Sequence, residues 1–436
     1  MIEFDVYLAI TALSVLVICS YVFQLISTKT RIPTVLMLLL LGVGIRELLT
    51  SLDRHVEVPL DFIQFFGVLG LILILLEAGL DLNVSRRKLP LVRRATASAL
   101  FVLAISITGI AAVVHALLDQ PWLTSFVYAA PLAVISSTIV ASSIGYLSED
   151  KREFLTYESA LSDIFGILLF NVLVAGGGFS IGLVALNVGS IALALVVSVI
   201  VSVLLVVLLA KVKVHIKAFL IHPVLMLVYA LGHLFNTPTL LTVLIFGLII
   251  NNWGQSRHRP LHRYLDPGSV ERATETIKSV TSESAFLVRT VFFTLFGYTI
   301  DVRVLGDGRV VAVGAAIVAT IFAARYVYLR IFVRHHVLPE LFFAPRGLVT
   351  VVLFYSIPAS MTVNAFSDGI VFFVVVATTL VMTVGSLWFT PREATRRVED
   401  ARSAREGEGA LAARAGADGE GEPAGVSAAA PGTGRA

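Results

Sequence analysis

Four oxygen-bearing side chains fall close together in an otherwise apolar stretch, TYESALSDIFGILLFN, from Thr156 to Asn171: Glu158, Ser159, Ser162 and Asp163. On a helix, Ser159 and Asp163 lie one turn apart on a common face, with Glu158 and Ser162 on the neighbouring stripe. Carboxylate and hydroxyl oxygens are hard ligands, suited to a small monovalent cation such as Na⁺ or to a proton in its place. A charge at the centre of a bilayer costs at least ~2.5 kcal/mol, so carboxylates at that depth imply a use. A plainer reading is a helix N-terminus with capping carboxylates at a membrane surface. It suits Glu158 better than Asp163, which lies two turns past Thr156.

A second group of polar residues interrupts the stretch YAAPLAVISSTIVASSIGYL, where Pro131 is followed by Ser136, Ser137 and Thr138. Proline removes a backbone donor and frees a carbonyl. Inside a membrane such backbone is tolerated only where it faces protein or a watery cavity. The hydroxyls alone are a weak signal, because Ser and Thr often bond the carbonyl four residues earlier. The stretch LFFAPRGLVTVVLFYSIP holds a matching break at Pro345, Arg346 and Gly347. Interrupted helices at corresponding places in two halves of a chain point to a transporter site.

The remaining charges in apolar runs need partners. Glu77 closes LILILLEAGLDL, Arg289 sits in SESAFLVRTVFFTLFG, and Arg325 sits in AARYVYLRIF. An arginine does not neutralise itself by losing a proton, so in lipid it must pair or snorkel. Glu77, Glu158, Arg289 and Arg325, together with Arg346, are expected to form structural ion pairs. Asp301 and Asp368 read as span-end residues.

The elements that must position these groups follow from composition. The chain has 436 residues, 57% hydrophobic and 14% charged, with mean hydropathy +0.89. A soluble protein carries about 25% charged residues; an all-α polytopic membrane protein is the class that fits. Runs of about 20 apolar residues give thirteen spans, near 5–26, 32–49, 60–80, 95–118, 122–147, 154–176, 186–210, 217–234, 237–252, 283–302, 308–333, 336–360 and 368–390. With the seventh as a linker, the rest divide into two inverted repeats of six, and the interrupted fifth and twelfth spans fall at equivalent positions. The first run follows MIEFD, which has no basic leader, and reads as a retained helix rather than a signal peptide. The single cysteine, Cys19, excludes an intrachain disulfide.

Lys and Arg set orientation. They gather after the odd-numbered spans: Lys29 and Arg31; Arg86, Arg87, Lys88, Arg93 and Arg94; Lys151 and Arg152; Lys211, Lys213 and Lys217; Arg257, Arg259 and Arg263; Arg334; and Arg392, Arg396 and Arg397. The N-terminus is therefore expected outside a cell membrane and the C-terminus in the cytoplasm. Residues 266–280, DPGSVERATETIKSV, read as an amphipathic or interfacial connector between the halves. Residues 1–392 form the membrane domain. Residues 393–436 are rich in Ala, Gly, Glu and Arg, bury too little apolar surface to order, and are expected to be a disordered cytoplasmic tail.

The chain carries no P-loop, zinc-ligand spacing or dinucleotide fingerprint, and its polar segments are too short to hold an ATPase. Transport must then be driven by a gradient, with no cofactor, no enzymatic activity and no nucleic-acid partner expected. Taken together, these residues resemble the monovalent cation/proton antiporter superfamily, and more closely its sodium/proton exchanger branch, from about residue 10 to 390. RIPTVLMLLLLGVGI resembles a first proline-led segment, LILLEAGLDL a third-span signature, and SSTIV an unwound crossing helix. ESALSD is similar to the exchanger pattern Glu-Ser-x-x-Asn-Asp, and FLVRTVFFTLFG and APRGLV resemble late-span motifs.

The resemblance implies that Asp163 is the carboxylate that exchanges ion and proton. It implies that Glu158 and Ser159 coordinate or orient the ion, with oxygens near Ser137 and Thr138 contributing. The acid at Glu158 would pair with a late-span arginine, either Arg325 or Arg289, and the protein would work as a homodimer in pH homeostasis. Two departures bear on ion choice. Ser162 stands where the exchanger pattern has asparagine, and Ser-Ser-Thr lacks the frequent Asp-Pro, a form closer to the potassium-efflux branch. The expected activity is electroneutral Na⁺/H⁺ antiport by alternating access, with K⁺/H⁺ antiport as the alternative. An organic-anion carrier would need a cationic pocket where this one is acidic. An intramembrane aspartyl protease needs two facing aspartates, and only Asp163 lies deep. A passive channel would conduct without proton coupling.

Overall fold

The computed structural model describes residues 6–53, 58–82, 88–174, 196–206, 217–234, 239–252, 267–333, 338–363 and 366–389. The expected tail at 393–436 lies outside them, as do Arg86, Arg87, Lys211, Lys213, Arg257, Arg259, Arg263, Arg334, Arg392, Arg396 and Arg397. The described residues form helices and no strands. In order these are α1 (Val6–Thr30), α2 (Thr34–Ser51), α3 (Leu60–Asp81), α4 (Leu89–Leu118), α5 (Trp122–Ala133), α6 (Ser137–Ser143) and α7 (Glu149–Val174). There follow α8 (Val196–Val206), α9 (Lys217–Leu234), α10 (Thr239–Asn251), α11 (Pro267–Thr299), α12 (Gly308–Tyr328), α13 (Leu348–Tyr355) and α14 (Asp368–Phe389).

Each of the thirteen expected spans carries a described helix, and among the described residues 8 stretches are long and apolar enough to cross a membrane. Proline marks the starts. Pro33, Pro59 and Pro121 stand at the N-caps of α2, α3 and α5, where the first turn has no intrahelical acceptor for an N–H in any case.

Two stretches depart from the sequence reading. The connector expected at 266–280 is the first half of α11, a single helix of 33 residues. Between Gly268 and Gly297 it contains neither glycine nor proline, and its polar side chains are tied to α3: Lys278 meets Asp81 at 2.6 Å and the Ser282 hydroxyl donates to Glu77 at 2.8 Å. The twelfth span, expected over 336–360, keeps only the 8 residues of α13, with 3₁₀ turns at Glu340–Phe342 and Ala359–Met361. Pro339, Pro345, Gly347 and Pro358 punctuate it too often for a longer helix.

The helices fall into two bundles. In one, α11 packs on α2 and α3, α10 on α3, α9 on α10 and α11, and α1 on α2. In the other, α4 packs on α5, α7 and α12, and α6 lies on α7. The first three spans of each expected repeat thus share one bundle, and the fourth to sixth spans of the first repeat share the other with α12. α13 lies against α5 and α7 and also reaches across to α3. The first bundle is held by close backbone approach. A side-chain carbon at Gly79 of α3 would stand 2.6 Å from the Leu244 carbonyl of α10, and one at Gly247 would stand 2.9 Å from the Leu76 carbonyl. Gly79→Val is therefore expected to destabilise the protein by at least about 1–3 kcal/mol, the usual cost of overpacking. Thermal unfolding in detergent measures this, and an unchanged midpoint would contradict the close contact.

Candidate functional site

The site grows from two interruptions. α5 runs two residues past Pro131 and stops at Ala133; the chain is extended at Val134 and Ser136, and α6 resumes at Ser137. The second interruption covers residues 343–347, ahead of α13. The two meet, because the backbone N–H of Ser136 donates to the Pro345 carbonyl at 2.9 Å. Gly347 is needed there, since a side-chain carbon on it would lie 2.8 Å from Cβ of Ser136.

Interrupting α5 frees its last carbonyls, and the C-terminal end of a helix is negative. Arg346 covers that end. Its Nε donates to the Leu132 carbonyl at 2.8 Å, Nη2 to Ala133 at 3.1 Å and Nη1 to Ala344 at 2.7 Å, with the side chain wholly buried. Its own N–H donates to Thr378 Oγ1 of α14 at 3.1 Å. Arg346 was expected in an ion pair. Among the described residues it has none, and its guanidinium is satisfied by backbone carbonyls of both interrupted segments.

Asp163 stands on α7 beside the first interruption. Its Oδ2 accepts from the Ser137 hydroxyl at 2.5 Å and from the Ser137 N–H at 3.3 Å. Its Oδ1 is buried and makes no hydrogen bond, although the residue is only 1% exposed. A buried carboxylate oxygen without a donor is costly, and a proton or a cation is what would complete it. Ser162, one residue away, accepts from the N–H of Ile135 at 3.0 Å and so stabilises the extended chain. Ser159 donates to the Leu155 carbonyl at 2.7 Å, which is the ordinary helical back-bond. Thr138 shares a hydrogen bond with Ser136 at 3.1 Å. Of the expected oxygen ligands, Ser137 is thus the one bonded to Asp163.

Glu158 is paired, and the structure chooses its partner. Arg325 of α12 grips it with Nη2 to Oε2 at 2.8 Å and Nη1 to Oε1 at 3.2 Å, both residues being about 1% exposed or less. The Ser98 hydroxyl of α4 donates to Oε1 from the other side, and Arg325 Nε donates to the Glu340 carbonyl at 2.8 Å. Arg289 lies 3.8 Å from Glu77, in the first bundle.

Ser98, Thr378 and Glu340 were not singled out in the sequence. Nothing local marks Ser98 or Thr378 among many membrane hydroxyls. Glu340 did carry a signal, as a lone carboxylate between Pro339 and Pro345; it lies 3.7 Å from Lys151 of α7.

A helical bundle in which two interrupted helices meet beside a buried carboxylate with one unbonded oxygen is the architecture of a secondary transporter. The chain belongs to the sodium/hydrogen exchanger family, whose transmembrane family model matches residues 13–391. No curated protein sequence matches it in direct comparison. Among solved structures it is similar to the sodium proton antiporter MjNhaP1 from Methanocaldococcus jannaschii at pH 8. That likeness has a TM-score of 0.65 and 21% identity, over 89% of this chain and 98% of the other. An electron-microscopy map of MjNhaP1 gives a TM-score of 0.59 and 21% identity, over 89% and 96%. At this identity the likeness speaks for the fold.

Proposed function

We propose that the protein is a secondary antiporter, not an enzyme, that exchanges a monovalent cation, Na⁺ first, for H⁺ by alternating access. One observation carries the reading: among the described residues Asp163 is the deeply buried carboxylate with no cationic partner, and one of its oxygens is unbonded. Desolvation disfavours a bare charge there, so the carboxylate is neutralised by a proton or by a cation, and not by both at once. Ser137 and Thr138 beside it are partly exposed, which suits an ion that has to arrive and leave. Family membership and the fold of MjNhaP1 support the same reading.

The N-terminus is proposed outside the cell membrane and the C-terminus in the cytoplasm. The working form is proposed to be a homodimer, to be tested by mass photometry in nanodiscs. Cation choice is tested in proteoliposomes, by dequenching of a pH dye during titration with Na⁺, K⁺ and Li⁺. Dequenching by Na⁺ and Li⁺ supports Na⁺/H⁺ exchange. A response to K⁺ alone supports the alternative that the Ser-Ser-Thr crossing helix suggests, and no response to any of them refutes antiport.

Exchange is expected to be electroneutral. Glu158 is held by Arg325 and Ser98, and Ser162 holds no proton that leaves near neutral pH, so one charge is swapped for one. In proteoliposomes clamped at several potentials with valinomycin, the Na⁺ reversal point should not move. A shift with potential would mean two protons per cation, and would point to Glu158 as a second titrating group.

A further inference from the structure

Thr350 lies in the first turn of α13, is 1% exposed, and its hydroxyl has no hydrogen-bond partner. A threonine in a membrane helix ordinarily donates to a carbonyl three or four residues earlier. Thr290, Thr378, Thr379 and Thr383 do so here, at distances of 2.7 to 2.9 Å. Thr350 is denied that outlet by the interruption itself. The residue four earlier, Arg346, precedes the N-cap, so its carbonyl does not stand in the helical position that a back-bond needs.

The orientation of α13 says which way Thr350 faces. Leu348 and Val352 lie against α3, at Gly70 and Gly67, where a side-chain carbon would meet them at 2.9 and 2.7 Å. Thr350 is two residues from each, about 200° around the helix, and so faces away from α3. α5 and α7 also pack on α13. Asp163 of α7 likewise has a buried, unbonded oxygen, and its other oxygen is held by Ser137, next to the Ser136 that Pro345 and Gly347 touch. α13 packs on α7, so two buried oxygens without partners stand on neighbouring helices beside the place where the two interruptions meet, and a ligand between them would satisfy both.

We propose that Thr350 furnishes a hydroxyl oxygen to the occupant of the Asp163 site, either the transported cation or a water in its shell. The second interrupted helix would then take part in binding an ion held mainly by the first and by α7. This rests on the antiport reading and extends it to a ligand that no motif marks.

Thr350→Val keeps the branched shape and removes only the hydroxyl, while Thr350→Ser keeps the hydroxyl. Two measurements are made on the full chain: the rise in melting temperature on adding NaCl, against choline chloride, and the Na⁺ concentration for half-maximal exchange. Thr350→Val should melt at or above the wild-type temperature without Na⁺, because an unpartnered hydroxyl is gone. It should lose most of its Na⁺-dependent stabilisation and need about tenfold more Na⁺, the scale of one contact to a charged group. Thr350→Ser should restore both. Should Thr350→Val not purify, Thr350→Cys carries the same expectation, since a thiol is a poor ligand for a hard cation. A valine variant with wild-type Na⁺ stabilisation and wild-type half-saturation overturns the proposal. Asp163→Asn serves as control: if the wild type itself shows no response to Na⁺, K⁺ or Li⁺, the antiport reading falls, and the role of Thr350 with it.

Discussion

Asp163→Asn is expected to reduce cation-driven proton flux to background while the protein still folds. The amide oxygen of asparagine can accept the two donations from Ser137 that Oδ2 now accepts, so the join between α6 and α7 survives. The amide nitrogen then stands where the unbonded Oδ1 stands, and an amide neither releases a proton nor neutralises a cation in this pH range. The carrier is left permanently uncharged at the one place where charge has to alternate. Flux in proteoliposomes, read beside a melting curve of the same preparation, makes the test. Normal exchange in a normally folded Asp163→Asn protein would remove Asp163 from the mechanism and with it the electroneutral cycle.

Glu158→Gln is expected to act on stability first, lowering it on the order of 3–5 kcal/mol, the usual penalty for stranding one member of a buried ion pair. Arg325 would keep its bond to the Glu340 carbonyl but lose the carboxylate that its Nη atoms now grip. Removing both charges should undo much of the damage, because a buried pair exchanged for apolar groups of similar volume is often neutral or stabilising. Glu158→Leu combined with Arg325→Met should therefore melt above either single variant. Reversing the pair should rescue only in part, since Ser98 and the Glu340 carbonyl are arranged for the native polarity. An unchanged melting temperature in Glu158→Gln would show that the pair does not hold the bundle together.

The division between these two carboxylates shows how far the sequence reaches. Its apolar runs determined the class of protein and the position of the spans, because lipid offers no partner to a backbone polar group and leaves a chain little choice but long helices. Proline and glycine located both interruptions, since the missing N–H at Pro345 and the absent side chain at Gly347 are properties of those residues wherever they stand. The patch on α7 was legible for the same reason: helical spacing alone places Asp163 one turn from Ser159.

Which charges meet was not legible. Glu158 and Arg325 are 167 positions apart, and Arg289 satisfied every local criterion equally well. The choice was made by the packing of α12 on α4 and α4 on α7, which brings Arg325 and Ser98 to Glu158 and leaves Arg289 to Glu77 in the other bundle. Arg346 shows the same limit from another side. Its sequence neighbours mark a break, but its partners are carbonyls that exist as free acceptors only because α5 stops at Ala133 and the second interrupted segment lies across it. Local sequence decides what a residue can offer and where the backbone must yield. Whether an offered oxygen is already bonded, as at Ser159 and Ser162, or left open, as at Asp163 and Thr350, depends on atoms brought from distant parts of the chain, and only the tertiary fold supplies them.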